Sequence, residues 1–151
     1  EIDDTPYWNF VTDEEIIEHW KLLRNLQDKT GGFRAFIMWS FQGANTQLKA
    51  EIPDIKPQSS NRYLRLLAVA RLYLDNFRNM QSSWVTQGSY VGQLALKFGA
   101  NDLGSTMMEE NVVKAAGASN RMNKEEMIRL IKDIGENPAK RNTAYEILER
   151  F

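Results

Sequence analysis

The sequence predicts an α/β fold assembled from parallel βα units. Two observations support this prediction: short apolar segments without polar alternation recur along the chain, and segments with helical periodicity separate them. A strand, a helix and a second parallel strand form a right-handed crossover unit. Three strands are visible, and three strands suit either a small open sheet or part of an eight-stranded barrel.

Length and composition indicate one globular domain. The chain has 151 residues, of which 42% are hydrophobic and 26% charged, and its formal net charge is -1. Scattered basic residues argue against a nucleic-acid partner.

The absence of cysteine excludes disulfides, thiolate metal sites and a cysteine nucleophile within this chain. No apolar run approaches the ~20 residues of a membrane span, and the acidic start does not resemble a signal peptide, so we expect a cytoplasmic location.

The first elements are a helix, a strand and a long loop. Thr12 followed by Glu15 has the spacing of a capping box, and the helix that it starts should end near the glycines at 31 and 32. Residues 33–39 are apolar and aromatic, as in a strand covered on both faces. The polar stretch 40–60 contains two prolines and is predicted as a long loop, a type of segment that often carries function.

The next elements repeat the alternation. Residues 61–77 have helical periodicity and are apolar nearly all round, which predicts deep burial. Residues 80–85 form the second predicted strand. The helix after it should turn one face inward, formed by Val91, Leu94, Ala95 and Phe98. A brief third strand follows at 100–103.

Helices are predicted for the rest of the chain. One begins near Met108. A second is capped by Asn123, and a third starts at Asn137 with Pro138 in its first turn, where proline is well tolerated. The predicted α/β fold therefore ends in C-terminal helices.

The carboxyl ends of the predicted strands indicate where the candidate site lies. Ligands of parallel α/β folds gather at the carboxyl ends of the strands, which here are followed by residues 39–45, 86–89 and 101–110. An alternative role for the tryptophans in this region is packing. The candidate substrate-binding residues on or beside these loops are Trp39, Gln42, Asn45, Trp84, Gln87, Asn101, Ser105 and Thr106.

The glycines of "FGANDLGSTMMEEN", residues 98–111, resemble those of a phosphate-binding loop. That loop needs a lysine where this chain has Ser105, and Asp102 and the following glutamates would repel a polyphosphate. An alternative role of Gly99 and Gly104 is to allow backbone angles that other residues disfavour. We therefore do not predict a nucleotide triphosphate site.

Two carboxylates are the candidate catalytic residues. Asp102 lies at the end of a buried parallel strand, where a carboxylate must be paired, bound or protonated. Glu109 begins a predicted helix, and its alternative role is to complement the positive end of that helix. The single histidine, His19, lies in the first helix without a second histidine or a cysteine, so no metal site or hydrolase triad is predicted.

A family resemblance is carried by five segments in matching order: "TDEEIIEHW", "QDKTGGFRAFIMWSFQGANT", "YLRLLAVARLYLDN", "QSSWVTQG" and "FGANDLGSTMMEENVVKAAGA". Together they resemble the C-terminal half of the dehypoxanthine futalosine cyclase family, radical S-adenosylmethionine (SAM) enzymes of the futalosine route to menaquinone. The resemblance runs from Thr12 to Phe151. We therefore predict a C-terminal half-barrel domain at 12–151 and an unmatched N-terminal segment at 1–11.

The resemblance implies a fold and a mechanism. The chain would be the C-terminal half of a TIM-type barrel, and the complete enzyme would hold a 4Fe-4S cluster on a loop of three cysteines and bind SAM at its open iron. A deoxyadenosyl radical would then abstract a hydrogen from dehypoxanthine futalosine, and the carbon radical would cyclise. Asp102 or Glu109 would be the base that removes the last proton.

This sequence lacks the three cysteines of the family. We therefore expect the chain by itself to bind no cluster and to be inactive. Two functions remain open: the substrate-side part of a radical SAM enzyme, or a stand-alone binding or assembly module. Because half a barrel exposes a strand edge and an apolar face, self-association is also expected.

Overall fold

The computed structural model describes residues 11–43, 45–53, 58–106 and 120–151. Helices in these ranges are α1 (Asp13–Thr30), α2 (Gln47–Glu51), α3 (Ser60–Tyr73), α4 (Trp84–Gln87), α5 (Ser89–Ala95) and α6 (Lys124–Asp133). Strands are β1 (Phe36–Ile37), β2 (Met80–Gln81), β3 (Ala139–Arg141) and β4 (Ile147–Arg150). The helix predicted near Met108 and most of the segment 1–11 lie outside the described residues, and the domain boundary after residue 11 stays a prediction.

A parallel strand pair confirms the mixed α/β fold. Phe36 of β1 lies opposite Met80 of β2, and Ile37 lies opposite Gln81. Gln81 also forms a parallel bridge to Asp102, and the Ser82 amide donates a 2.8 Å hydrogen bond to the Asp102 carbonyl. All three extended segments are shorter than predicted. A barrel is not formed by the described residues and stays a prediction.

Helix α1 has both predicted ends. The Thr12 hydroxyl accepts from the Glu15 amide at 3.2 Å, and the Glu15 carboxylate accepts from the Thr12 amide at 2.7 Å, which is a complete capping box. Gly31 ends the helix with φ of 56°, in the left-handed region that glycine adopts without strain. Trp20 is buried on the face that packs toward the sheet.

Helix α3 is buried on one face only, so the prediction of deep burial all round is wrong. Tyr63, Leu67 and Ala70 are fully buried in the core between the helices and the sheet. On the outer face Val69 is 52% exposed and Leu72 is 82% exposed, because nothing in the described residues covers that side. The preceding loop is also less irregular than predicted, since it contains α2.

A second hydrophobic cluster forms around the third strand segment. Its buried members are Trp84, Val85, Leu103, Met122, Met127 and Leu130. The predicted cap of α6 is confirmed, because the Asn123 side chain accepts from the Glu126 amide at 2.8 Å. The predicted inward face of α5 is only partly correct: Ala95 is buried, whereas Leu94 and Phe98 are 47% and 39% exposed.

An antiparallel hairpin replaces the helix predicted from Asn137, so that prediction is wrong. β3 and β4 pair antiparallel, with Ala139 opposite Arg150. The Asn142 side-chain oxygen accepts from the amides of Ala144 and Glu146 at 2.9 and 3.0 Å. These bonds fold the backbone into a turn and compete with helical hydrogen bonds. The fold therefore ends in α6 and a hairpin, instead of in several helices.

Among the described helices, none combines the length and the apolar character that a bilayer crossing would need.

Candidate functional site

Alternation along β2 separates the two faces of the parallel sheet. Met80 packs in the core under the helices, and the Ser82 hydroxyl donates to the Gly92 carbonyl of α5 at 3.1 Å. Gln81, between them, therefore points to the opposite face. Asp102 is its bridge partner and shares that face.

The Asp102 carboxylate is held by three donors. Its Oδ2 accepts from the Arg141 guanidinium at 2.5 Å and from the Tyr145 hydroxyl at 3.0 Å, and its Oδ1 accepts from the Gly104 amide at 2.9 Å. The Asp102 side chain is only 10% exposed. Of the three possibilities that the sequence left for this carboxylate, the structure shows pairing.

Arg141 and Tyr145 also contact each other. The guanidinium carbon lies 3.9 Å from the centroid of the Tyr145 ring, a cation–π contact. Burial, together with the charge and the hydrogen bond of Asp102, raises the pKa of Tyr145 to about 12. Burial by itself would lower the pKa of Arg141, but the hydrogen bond and charge of Asp102 raise it. The phenol is therefore a neutral donor and the guanidinium a permanent cation at neutral pH.

A cleft of about 980 Å³ opens beside this cluster, between the end of the third strand segment, α6 and the hairpin. Four of the predicted site residues line it: Asn101, Asp102, Ser105 and Thr106. Predicted Glu109 lies outside the described residues. The sequence missed Arg141 and Tyr145, because the segment that carries them was predicted as a helix.

Asn101 lines the cleft, but its amide is used by the backbone. Its Oδ1 accepts from the Met80 amide at 2.8 Å, and its Nδ2 donates to the Arg78 carbonyl at 3.2 Å. Arg71 of α3 also donates to Oδ1, at 3.3 Å. These bonds fix the third strand segment beside β2, a structural use of the side chain.

Ser40 brings two further predicted residues together. Its hydroxyl, in a residue 5% exposed, donates to Gln58 at 2.9 Å and accepts from Gln87 at 2.7 Å. The Gln42 amide donates to the Ser40 carbonyl at 3.2 Å. The loop after β1 is thereby tied to α4. Neither Ser40 nor Gln58 was predicted, since nothing in the local sequence distinguishes them from other polar loop residues.

Helix α4, which carries Gln87, is positioned by a buried tyrosine. The Tyr63 hydroxyl of α3 accepts from the Ser83 amide at 2.9 Å, directly before α4 begins. Burial raises the pKa of Tyr63, so the hydroxyl remains neutral and can accept this bond. The sequence did not single out this contact, which joins residues 20 positions apart.

The remaining predicted residues have different surroundings. Trp39 is 56% exposed and lines a smaller pocket of about 360 Å³ with His19 and Trp20. Asn45 is exposed in the turn before α2. Trp84 is 1% exposed within the second hydrophobic cluster. Its placement fits the packing alternative better than ligand contact.

The glycines of the 98–111 stretch have the backbone role. Gly99 and Gly104 have φ of 110° and 80°. A Cβ added at Gly99 would lie 2.6 Å from Cβ of Arg71, whose Nε donates to the Gly99 carbonyl at 2.7 Å. These angles and this close approach explain the glycines without a phosphate ligand.

The described residues contain no group of three His, Asp or Glu side chains that could hold a metal ion. Together with the absence of cysteine from the whole sequence, this means that the described part of the chain does not fit an iron–sulfur cluster.

Comparisons with known proteins give the family. Residues 30–151 match the family model described as the CofH/MqnC C-terminal region. Cyclic dehypoxanthine futalosine synthase of Streptomyces coelicolor is 50% identical over 137 residues, which are 91% of this chain and 33% of that protein. The synthase of Halalkalibacterium halodurans is 46% identical over 91% of this chain and 36% of its own length.

A third relative has a different name. The 5-amino-6-(D-ribitylamino)uracil--L-tyrosine 4-hydroxyphenyl transferase of Methanosphaerula palustris is 41% identical over 93% of this chain and 39% of its own length. The chain thus spans between a third and two fifths of the length of these curated relatives. The resemblance to the C-terminal region of the cyclase family is confirmed.

Proposed function

The chain belongs to the family of CofH/MqnC C-terminal regions, and we propose that it is the C-terminal, substrate-side part of a radical SAM enzyme that cyclises dehypoxanthine futalosine in menaquinone biosynthesis. The observation that carries this proposal is the 50% identity to the S. coelicolor synthase over 91% of the chain. Identity to the hydroxyphenyl transferase is lower, at 41%. The difference favours cyclisation over hydroxyphenyl transfer.

The fold supports a half barrel. β1 and β2 are parallel, and the bridge from Gln81 to Asp102 extends the sheet by one segment in the order of the chain. Within the described ranges β1 has no strand on its other side. Strands of the remaining part of a complete enzyme would pair there and continue the barrel.

In a complete enzyme the 4Fe-4S cluster would need thiolate ligands that this chain does not supply, because its sequence contains no cysteine. The residues present here would bind and orient the small-molecule substrate. Gln42 and Gln87, joined through Ser40, offer amide groups at the ends of β1 and β2.

We assign to Asp102 the main polar contact with the substrate. Its carboxylate lies at the end of the third strand segment and lines the large cleft, where it would orient the substrate or accept the proton lost as the ring regains aromaticity. The Arg141 guanidinium lies 2.5 Å from Oδ2 of Asp102 and balances the negative charge of the carboxylate. Glu109 is the second candidate for the base.

An alternative function is a stand-alone half-barrel that binds or assembles with a partner without catalysis. The side of β1 that pairs with no strand in the described ranges favours this alternative, because an open strand edge can pair with a partner.

Replacing the matching region of the S. coelicolor synthase by this chain tests the two functions. We expect the chimeric enzyme to convert dehypoxanthine futalosine to its cyclic form under anaerobic reducing conditions. The native synthase is the positive control, and the synthase without its C-terminal region is the negative control. A folded chimera that cleaves SAM without forming cyclic product would overturn the cyclase proposal and favour the stand-alone module.

A further inference from the structure

The C-terminal hairpin reaches the end of the parallel sheet. Arg141 lies at the end of β3 and Tyr145 in the turn before β4, and both donate to Oδ2 of Asp102. The hairpin tip is also tied to the segment before β1, because the Arg34 guanidinium donates to the Thr143 carbonyl at 3.3 Å. The hairpin is therefore docked on the sheet at two separate points.

We propose that Arg141 and Tyr145 are positioning residues of the candidate site, which fix the Asp102 carboxylate so that Oδ1 faces a hydroxyl or N–H group of the ligand. This inference rests on the proposed function of Asp102. The β3–β4 hairpin would thereby be part of the candidate site.

The distribution of donors supports this orientation. Oδ2 accepts two side-chain hydrogen bonds, whereas Oδ1 accepts one, from the Gly104 amide at 2.9 Å. A carboxylate oxygen accepts two hydrogen bonds, so Oδ1 keeps capacity for a ligand donor. The same carboxylate lines the 980 Å³ cleft.

The backbone of Tyr145 shows how the hairpin turn fixes the residue that carries this hydroxyl. Its φ of 66° makes it the only non-glycine residue in the described ranges with a positive φ. Such a conformation is unfavourable for a bulky side chain and persists only where surrounding contacts determine it, often at functional sites. Here the Asn142 turn imposes it, with the Tyr145 amide bound to the Asn142 carbonyl at 3.1 Å.

Titration of the intact chain tests the contact without any turnover. Tyrosinate absorbance should show a component near pH 12 from Tyr145, in addition to the raised titration of the buried Tyr63. Tyr145→Phe should remove the first component and leave that of Tyr63. Asp102→Asn should shift the Tyr145 component to lower pH, because the negative charge that opposes ionisation is gone. An unshifted Tyr145 component in Asp102→Asn would overturn the proposal whether or not the chain is part of a cyclase.

Kinetics of the chimeric synthase test the positioning role. Tyr145→Phe keeps the ring under Arg141 and removes one hydrogen bond to Asp102, and we expect kcat/KM per folded enzyme to fall about tenfold, as for a loss of about 1.4 kcal/mol. Arg141→Lys should also lower kcat/KM, because lysine lacks the planar guanidinium that stacks on an aromatic ring and donates several hydrogen bonds in a fixed geometry. The matched control is Tyr90→Phe, which changes a tyrosine that is 73% exposed.

The outcomes separate the two proposals. An active chimera whose Tyr145→Phe variant has an unchanged kcat/KM per folded enzyme contradicts the positioning role and leaves the proposed function standing. A folded chimera that cleaves SAM without forming cyclic product contradicts the proposed function, and the titration of the intact chain then decides whether the hairpin fixes Asp102.

Discussion

The hydroxyl of Tyr145 donates a 3.0 Å hydrogen bond to the carboxylate of Asp102, although 43 residues separate them in the chain. The contact joins the last hairpin to the end of the parallel sheet. Arg141, which shares the same carboxylate oxygen, makes this junction a charged one.

Asp102→Asn in the chimeric synthase keeps the size of the side chain and removes its charge and basicity. We expect turnover to fall roughly 10²- to 10⁴-fold, the usual contribution of a positioned acid or base. If Asp102 only pairs with Arg141, the unpaired cation should instead lower stability by roughly 3–5 kcal/mol, and activity should fall only with the folded fraction. Melting temperature, deoxyadenosine and cyclic product, measured on one preparation, separate these results. A well-folded variant with near-normal product would eliminate the catalytic role.

The stability of the chain should decrease in strongly alkaline solution through Tyr145. Its pKa is about 12 in the folded state and about 10 in an unfolded chain. Above pH 10 the unfolded state therefore loses its proton first and is favoured, so this contribution to stability is complete below pH 10 and is lost as the pH rises to 12. Urea unfolding between pH 9 and 12 should show a steeper loss for the native sequence than for Tyr145→Phe. Equal slopes would contradict the raised pKa.

Gly99→Ala should destabilise the chain more than Gly135→Ala. Both glycines have positive φ, which costs an alanine roughly 1–2 kcal/mol. At Gly99 the added Cβ would also lie 2.6 Å from Cβ of Arg71, whereas at Gly135 no described atom lies within 4 Å. Overpacking should add roughly 1–3 kcal/mol at Gly99. Chemical denaturation of both variants measures the difference, and equal stabilities would show that the close approach to Arg71 is relieved without cost.

The chain by itself should bind no iron–sulfur cluster and should not cleave SAM, because it has no thiolate ligand. Anaerobic reconstitution with iron and sulfide, followed by iron analysis and electron paramagnetic resonance, checks this. The chimeric synthase treated in parallel is the positive control. A stoichiometric four-iron signal from the isolated chain would disprove the prediction.

The isolated chain should self-associate through the side of β1 that pairs with no strand in the described ranges. Ile37 is 40% exposed and Trp39 56% exposed beside this open edge, and unpaired strand edges seek partners. Ile37→Lys should shift the population toward monomer, because a charged edge residue opposes pairing. Leu22→Lys, which alters a 68% exposed residue of α1, is the matched control. Light scattering over a dilution series that shows a stable monomer for the native chain would count against the prediction.

The amino-acid sequence by itself determined the local elements. The capping box of Thr12 and Glu15, the stop at Gly31 and the Asn123 cap are all present as predicted, because each depends on hydrogen bonds or backbone angles within a few residues. The alternation of apolar and helical segments likewise predicted the parallel pair β1–β2. The motifs identified the family, which the matching family model confirms.

Only the tertiary structure decided which polar groups meet. Ser40 joins Gln58 and Gln87, and Asp102 meets Arg141 and Tyr145, over separations of 18 to 47 residues that no local pattern encodes. The exposed outer face of α3 and the final hairpin were mispredicted for the same reason. Two outcomes depend on what the rest of the fold places against a segment: whether an apolar helix face is covered, and whether a segment with an Asn turn at its centre pairs as two strands.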